Sequence, residues 1–191
     1  MNYKSAKILV SKVSVLVLVM GLLILGLSAC TPTEEPAPPV GSKAIRLGIL
    51  QYATHPSLDA ARDAVLDVLK ANGYTDGEEL EVVLLNGEGD QPTIRSMAQQ
   101  LAEDNYDLIL AVATPAAQAM ANATKDVPIL ITAVTDPVGA GLVESLDKPN
   151  TNVTGTSDYV SIETQLDMVR EIMPDLQRLG VIYNSGEENS V

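Results

Sequence analysis

Cysteine, histidine and basic residues are scarce in this chain, and each shortage closes off a class of function. One cysteine among 191 residues leaves no partner for an intrachain disulfide and no set of thiolates for a metal. There is also one histidine, His55. Without a GxSxG turn or a neighbouring Cys it cannot be built into a nucleophilic triad. Without HExxH or a carboxylate–histidine cluster it offers no zinc site. The first predicted strand is not followed by GxGxxG, which a pyrophosphate needs to approach the backbone. Gly87-Glu88-Gly89, after the second strand, is acidic and reads as a turn. The carboxylates are scattered over amphipathic helix faces, where solvation explains them. No enzyme, no cofactor and no metal emerges. Basic residues number 12 against 25 acidic ones, a balance hostile to nucleic acid, whose phosphates need Lys and Arg.

The basic residues that exist are partly spent at the start. Lys4, Lys7 and Lys12 precede an apolar run, Val13 to Leu27, which ends in Leu27-Ser28-Ala29-Cys30. A basic entry, an apolar core and small residues before a Cys describe a secretory signal peptide over residues 1–29. The run is shorter than the roughly 18 residues a membrane span needs. LSAC resembles the lipobox of bacterial lipoproteins. That resemblance implies a lipid (palmitate-type) anchor on Cys30 and a place on the extracytoplasmic face of the cell membrane. Removal of the three lysines leaves nine basic against 25 acidic residues, a net charge of −16. Residues 30–43, with Thr31–Ser42 reading TPTEEPAPPVGS, are Pro-rich and polar, and form an extended tether.

The folded part starts near Ala44. The stretch Asp107–Met120, DLILAVATPAAQAM, organises it. Leu108–Val112 is too short for a helix and apolar throughout, as a strand buried on both faces would be. Thr114 at the N-cap and Pro115 at the first helical position then start a helix. A strand thereby delivers the positive end of a helix dipole to the carboxyl edge of a sheet, where open α/β sheets bind ligands. The remaining chain repeats the device. Strands are expected at Ala44–Leu50, Glu79–Leu85, Val127–Ala133, Val153–Gly155 and Leu179–Tyr183. Helices are expected at Leu58–Asn72, closed by Gly73, at Thr93–Glu103, and at Ile162–Met173, stopped by Pro174. Alternation of this kind predicts a doubly wound α/β domain around a parallel sheet.

Candidate chemistry lies in four loops at the strand ends. Tyr52 and His55 follow the first strand, as a stacking ring and a hydrogen-bonding group over the crevice; His55 reads equally well as a solvated residue beside a Pro turn. Thr114 and Pro115 expose a helix N-terminus able to take a carboxylate, or are a plain cap. Thr135-Asp136-Pro137 could pair an ammonium through Asp136, or be an Asx turn. Gly155-Thr156-Ser157-Asp158-Tyr159 leads from a short strand to a helix and has the composition of a hinge.

With lipobox, tether and alternating α/β elements, the sequence resembles the substrate-binding lipoproteins of ABC importers, in the tryptophan or tyrosine branch of the type I periplasmic-binding-protein fold. The stretches that carry this are GILQYATHPSLDAARDAV (48–65), DLILAVATPAAQAMANATKDVPIL (107–130), AVTDPVGAGLV (133–143), NVTGTSD (152–158) and GVIYNSGEENS (180–190). The resemblance implies two lobes that close on a small solute by hinge motion, with residues 44–155 as the first lobe. Residues 156–191 would be the crossover and the incomplete start of the second, the chain being a truncated product or partial record. Carried over by position, Tyr52, Thr54, His55, Thr114, Thr135 and Asp136 would line the first lobe's side of the cleft. Thr156, Ser157 and Asp158 would lie near the crossover, and Asn184, Glu187, Asn189 and Ser190 would open the second lobe. An aromatic amino acid suits this set: dipole and hydroxyls for its carboxylate, an acid for its ammonium, Tyr52 for its ring. The implied partners are that solute, a membrane ABC permease and the membrane itself through the lipid. Other readings are a ligand-sensing lipoprotein for a signalling receptor, an adhesive surface lipoprotein, or a non-functional fragment.

Overall fold

A computed structural model describes residues 43–190. The expected signal peptide 1–29, the expected lipidation site Cys30 and the expected tether up to Ser42 lie outside the described residues. The elements are β1 Ile45–Gln51, α1 Pro56–Ala71, β2 Leu80–Asn86, α2 Gln91–Glu103, β3 Leu108–Val112, α3 Thr114–Ala123, β4 Ile129–Val134, β5 Val153–Ser157 and α4 Ile162–Ile172, then a short 3-10 turn Glu188–Ser190.

The five strands form one parallel sheet in the order β2-β1-β3-β4-β5. This is the doubly wound parallel sheet that the alternation of elements predicts, and the order reverses between β1 and β3. A crevice opens at such a switch point, outside the carboxyl ends of the strands. The register holds those ends level, with Gln51 opposite both Asn86 and Val112, and Val112 opposite Thr132.

β3 is the strand its composition predicts. Ile109, Leu110, Ala111 and Val112 are all buried, and full burial of a Leu, Ile or Val contributes about 1.5–3 kcal/mol. Alternate residues face opposite layers. Leu47, Ile49, Leu110 and Val112 pack with Leu58, Val65, Leu66 and Leu69 of α1. Leu50, Ile109 and Ala111 pack with Ile94, Ala98 and Leu101 of α2 and with Ala116, Ala117 and Met120 of α3. The alanines let α3 sit close to the sheet, and no bulkier side chain is tolerated there without displacement.

Three boundaries and one absent strand correct the sequence reading. The strand expected at Val153–Gly155 runs on to Ser157, so Thr156 and Ser157 belong to β5 and not to the loop after it. The helix expected at Thr93–Glu103 starts at Gln91, because Asp90 takes the cap by accepting from Thr93 N–H at 2.9 Å. Thr114 is not the N-cap of α3: Ala113 is, with its N–H held by Thr132 O at 3.0 Å, so Thr114 and Pro115 become the first two helical residues. Leu179–Tyr183 forms no strand. A strand needs a neighbour for its backbone groups, none pairs with this segment among the described residues, and Ile182 is fully exposed. The closing of α1 is as expected, with Gly73 N–H donating to Lys70 O and Tyr74 N–H to Leu69 O.

Among the described residues, apolar surface is open on α4 and over the α1 side of the sheet. α4 buries no residue, and Ile162, Met168, Ile172 and Val181 are exposed. A groove of about 480 Å³ runs over the α1 side of the sheet, lined by Val65, Val68, Leu69, Leu110, Leu130 and Ile131 among others.

Candidate functional site

The carboxyl edge of the sheet gathers most of the residues singled out from the sequence. Tyr52 follows β1. Its N–H donates to Val112 O at 3.2 Å and its carbonyl accepts from Gly89 N–H at 2.9 Å, so the loop is joined to β3 on one side and to the turn after β2 on the other. The phenol donates to Glu187 Oε1 at 2.7 Å. Burial, then that bond and the negative charge of Glu187, push the Tyr52 phenol up to about 12.

Thr54 is exposed but not idle. Asn86 Nδ2 donates to its hydroxyl at 2.9 Å, and the hydroxyl donates to Glu88 Oε1 at 3.0 Å. Asn86 Oδ1 in turn accepts from Glu88 N–H at 3.0 Å. The loops after β1 and β2 are thus sewn together by side chains, and Asn86 and Glu88 are members that sequence reasoning missed. Residues 87–89 do form the turn expected of them. His55 takes no part in these bonds: it closes the same loop by capping α1, with Nδ1 accepting from Ser57 N–H at 3.2 Å, and it is exposed. Pro56 and Pro115 stand in the first turns of α1 and α3, where the missing N–H costs nothing.

At the switch point, β3 hands over to α3 through Ala113, at φ 82° and ψ 155°. That region is essentially restricted to glycine, and a residue held there stores about 1–3 kcal/mol. No side chain caps α3. Thr114 is buried, 1% exposed, and its Oγ1 has no hydrogen-bond partner among the described residues. An unpaired buried hydroxyl of this kind costs about 1–3 kcal/mol.

Further along the edge, Asp136 makes the turn that the sequence allowed: Oδ1 accepts from Val138 N–H at 3.1 Å and from Gly139 N–H at 2.9 Å. The Thr135 carbonyl accepts from Ser157 Oγ at 2.7 Å, and Ser157 Oγ accepts from Tyr159 N–H at 3.1 Å. Thr156 Oγ1 reaches Thr132 Oγ1 at 3.4 Å. Asp158 is exposed, and its N–H donates to Val134 O.

The last segment returns to the edge. Asn184 Nδ2 donates to Glu187 Oε1 at 2.7 Å, and Asn184 N–H donates to Ser190 Oγ at 2.7 Å. The 3-10 turn lies against α3. Tyr52, Asn184, Glu187 and Ser190 are therefore brought together; Asn189 is exposed. Among the described residues no group of three or more His, Asp or Glu side chains is disposed to hold a metal ion.

A second polar cluster, unseen in the sequence, lies under the Tyr52 loop. Gln51 is fully buried, with Nε2 donating to Ala53 O at 2.8 Å and to Asp59 Oδ1 at 2.7 Å, while Oε1 accepts from Arg62 Nη1 at 2.8 Å. A lone Gln at a strand end carries no periodic signal, so only the fold reveals its partners.

Comparison with known proteins agrees with this architecture. Residues 46–191 match the family described as ABC transporter substrate binding protein. A tyrosine-binding protein of Clostridioides difficile (strain R20291) is 50% identical over 144 residues, 75% of this chain and 42% of that protein. The crystal structure of a conserved domain protein from Vibrio cholerae O1 biovar eltor is 44% identical with a TM-score of 0.75, over 77% of this chain and 50% of that one. The structure of an ABC domain in complex with L-Trp from Streptococcus pneumonia is 40% identical with a TM-score of 0.73, again over 77% and 50%. The chain thus spans about half the length of these relatives.

Proposed function

Since this chain belongs to the ABC transporter substrate binding proteins, we propose that its carboxyl edge is the first-lobe wall of a cleft that captures an amino acid, aromatic by preference, for a membrane permease. The observation that carries this reading is Thr114. A hydroxyl buried without a partner, at the start of an uncapped helix on the central strand, is costly for folding and suited to a carboxylate ligand. The names of two relatives, one tyrosine-binding and one in complex with L-Trp, support an aromatic side chain. Tyr52 would face that ring, with Thr54 and His55 at the rim. Thr135, Asp136, Ser157 and Asp158 would line the far end of the same edge. Asn184, Glu187, Asn189 and Ser190 would contribute from the start of a second lobe.

In this reading residues 44–155 are the first lobe and 156–191 the crossover and opening of the second. The exposed apolar side chains of α4 and of residues 179–183 are the faces that a second lobe would cover. Capture requires no chemistry on the solute. Cys30 would carry the lipid that holds the protein on the outer face of the membrane, with the Pro-rich tether as spacer; no helix among the described residues is long and apolar enough to cross a membrane.

The test is calorimetric titration and thermal unfolding of the full-length lipoprotein with the twenty amino acids. Saturable binding of L-tyrosine or L-tryptophan, with a matching rise in Tm, is expected. A flat response to the whole panel would overturn the reading.

A further inference from the structure

The Gln51, Asp59 and Arg62 cluster stands apart from every contact assigned above to the solute. Its place explains why it is there. Gln51 ends β1, where Ile49 and Leu50 immediately before it are fully buried and apolar. A leucine would fill the same site with no polar group to satisfy. Instead the amide is buried and fully used: both N–H groups donate, to Ala53 O and Asp59 Oδ1, and the carbonyl accepts from Arg62. Arg62 Nη1 also reaches Asp59 Oδ1 at 3.3 Å, and Arg62 Nη2 lies 2.7 Å from Asp63 Oδ1. The arginine side chain is only 16% exposed, so its orientation is set by packing as well as by charge. The ion pairs are only partly buried, with the Asp59 side chain 34% and Asp63 58% exposed, and pairs of this kind contribute little to stability. Their use is to hold one geometry.

What is held is the Ala53 carbonyl. The Tyr52 loop is pinned to β3 by Tyr52 N–H, to β2 and the turn after it by Tyr52 O and the Thr54 hydroxyl, and to α1 through Gln51 and His55. We propose that Gln51, Asp59 and Arg62 are positioning residues. They pre-organise the Tyr52–His55 wall from beneath, so that the entropy of ordering it is not charged to binding. The proposal rests on the amino-acid reading above for its ligand, and on the hydrogen-bond network for its geometry. Pre-organisation of this type raises affinity without adding any contact to the ligand.

The experiment uses the full-length lipoprotein with the double substitution Gln51→Leu and Arg62→Met, the single Arg62→Met as a milder route, and Arg62→Lys as the conservative variant. Amide exchange is measured without ligand, and affinity with L-tyrosine and L-tryptophan. The double variant is expected to change Tm little, because the 34%-exposed Asp59 stays solvated, to exchange faster at the hydrogen-bonded amides of Tyr52, Ser57 and Asp59, and to bind about tenfold more weakly. Arg62→Lys, which still donates to Gln51, is expected to restore both within about twofold of wild type. Unchanged exchange in the loop overturns the proposal whether or not either amino acid binds. Faster exchange with unchanged affinity overturns it as well. If the wild-type protein binds neither probe, the amino-acid reading fails, and the exchange arm alone decides whether the clamp exists.

Discussion

The Tyr52 phenol and the Glu187 carboxylate meet at 2.7 Å across 135 residues of chain. Each comes from a turn with its own internal bonding. Tyr52 is fixed through its backbone to β3 and to Gly89, while Glu187 is fixed through Asn184, whose side chain also accepts from Gly186 N–H at 3.0 Å. The contact therefore joins two preformed pieces, and carries the closing segment onto the edge where α3 begins. In a two-lobed molecule this is the pairing that would register one wall of the cleft against the other.

Burial of the phenol, and then that pairing, make stability depend on alkaline pH. Unfolded, the Tyr52 phenol releases its proton around its ordinary value of 10.0; folded, it keeps the proton to about 12. Between these values the unfolded chain binds fewer protons, so a rise in pH favours unfolding, and the contribution is complete only below about pH 10. Denaturant melts from pH 9 to 12 should therefore decline more steeply for wild type than for Tyr52→Phe. At neutral pH the same variant loses about 1 kcal/mol with the hydrogen bond. Parallel pH profiles would show that the phenol does not meet the carboxylate in solution.

Thr114 is where the proposed binding role can be tested apart from folding. Thr114→Val keeps the shape and removes an oxygen that has no partner among the described residues. Stability should hold or rise by about 1 kcal/mol, since an unsatisfied buried hydroxyl disappears. Affinity for an amino acid should fall about tenfold or more. Thermal unfolding and calorimetry on one preparation read both. A loss of stability together with unchanged affinity would mean that the hydroxyl serves the fold and not a ligand.

The parts legible in the sequence were those governed by local pattern. The apolar run Leu108–Val112 and the apolar spacing along α1 and α2 fixed strands and helices, because side-chain period and burial are one signal. The Thr114 cap was misread by one residue, since Ala113 lies in a region that composition never suggests for alanine. Leu179–Tyr183 has a strand's composition and no strand beside it. Asn86, Glu88, Gln51 and Arg62 were illegible for a different reason. They meet only when α1 and two loops are folded against the sheet, and single polar residues leave no period to read.

If the proposed solute is an amino acid, two carboxylates, Asp136 and Glu187, are candidates for its ammonium. Asp136 already spends Oδ1 on two backbone N–H groups, which an asparagine could hold equally well. Glu187 accepts from two side chains, Tyr52 and Asn184. Asp136→Asn should leave Tm unchanged and reduce affinity less than threefold, because the turn survives. Glu187→Gln should weaken binding about tenfold, with the charge gone and the pairing to Tyr52 loosened. The reverse ranking in calorimetric titrations would assign the ammonium to Asp136. Equal, negligible effects would remove both from the site.

Gly155 sets the position of β5 and of the turn that follows it. Its φ is +148°, and a Cβ there would collide with the backbone carbonyl of Ile131. The β4–β5 register shifts between Ile131 and Val134 at this point, so the close approach is part of how β5 is seated. Gly155→Ala must either push β5 away from β4 or strain both strands, at a cost of about 2–4 kcal/mol. Gly141 is the control: its φ is +70°, yet a Cβ would meet nothing within 4 Å. Gly141→Ala should cost only about 1 kcal/mol, the backbone penalty without the clash. Chemical denaturation of the two variants separates these contributions. Because Ser157 Oγ is tied to Thr135 O, displacement of β5 should also carry the Thr135–Asp136 turn with it, and amide exchange at residues 135–139 should rise in Gly155→Ala and not in Gly141→Ala. Equal costs for the two glycines would mean that β5 sits further from β4 than the collision requires.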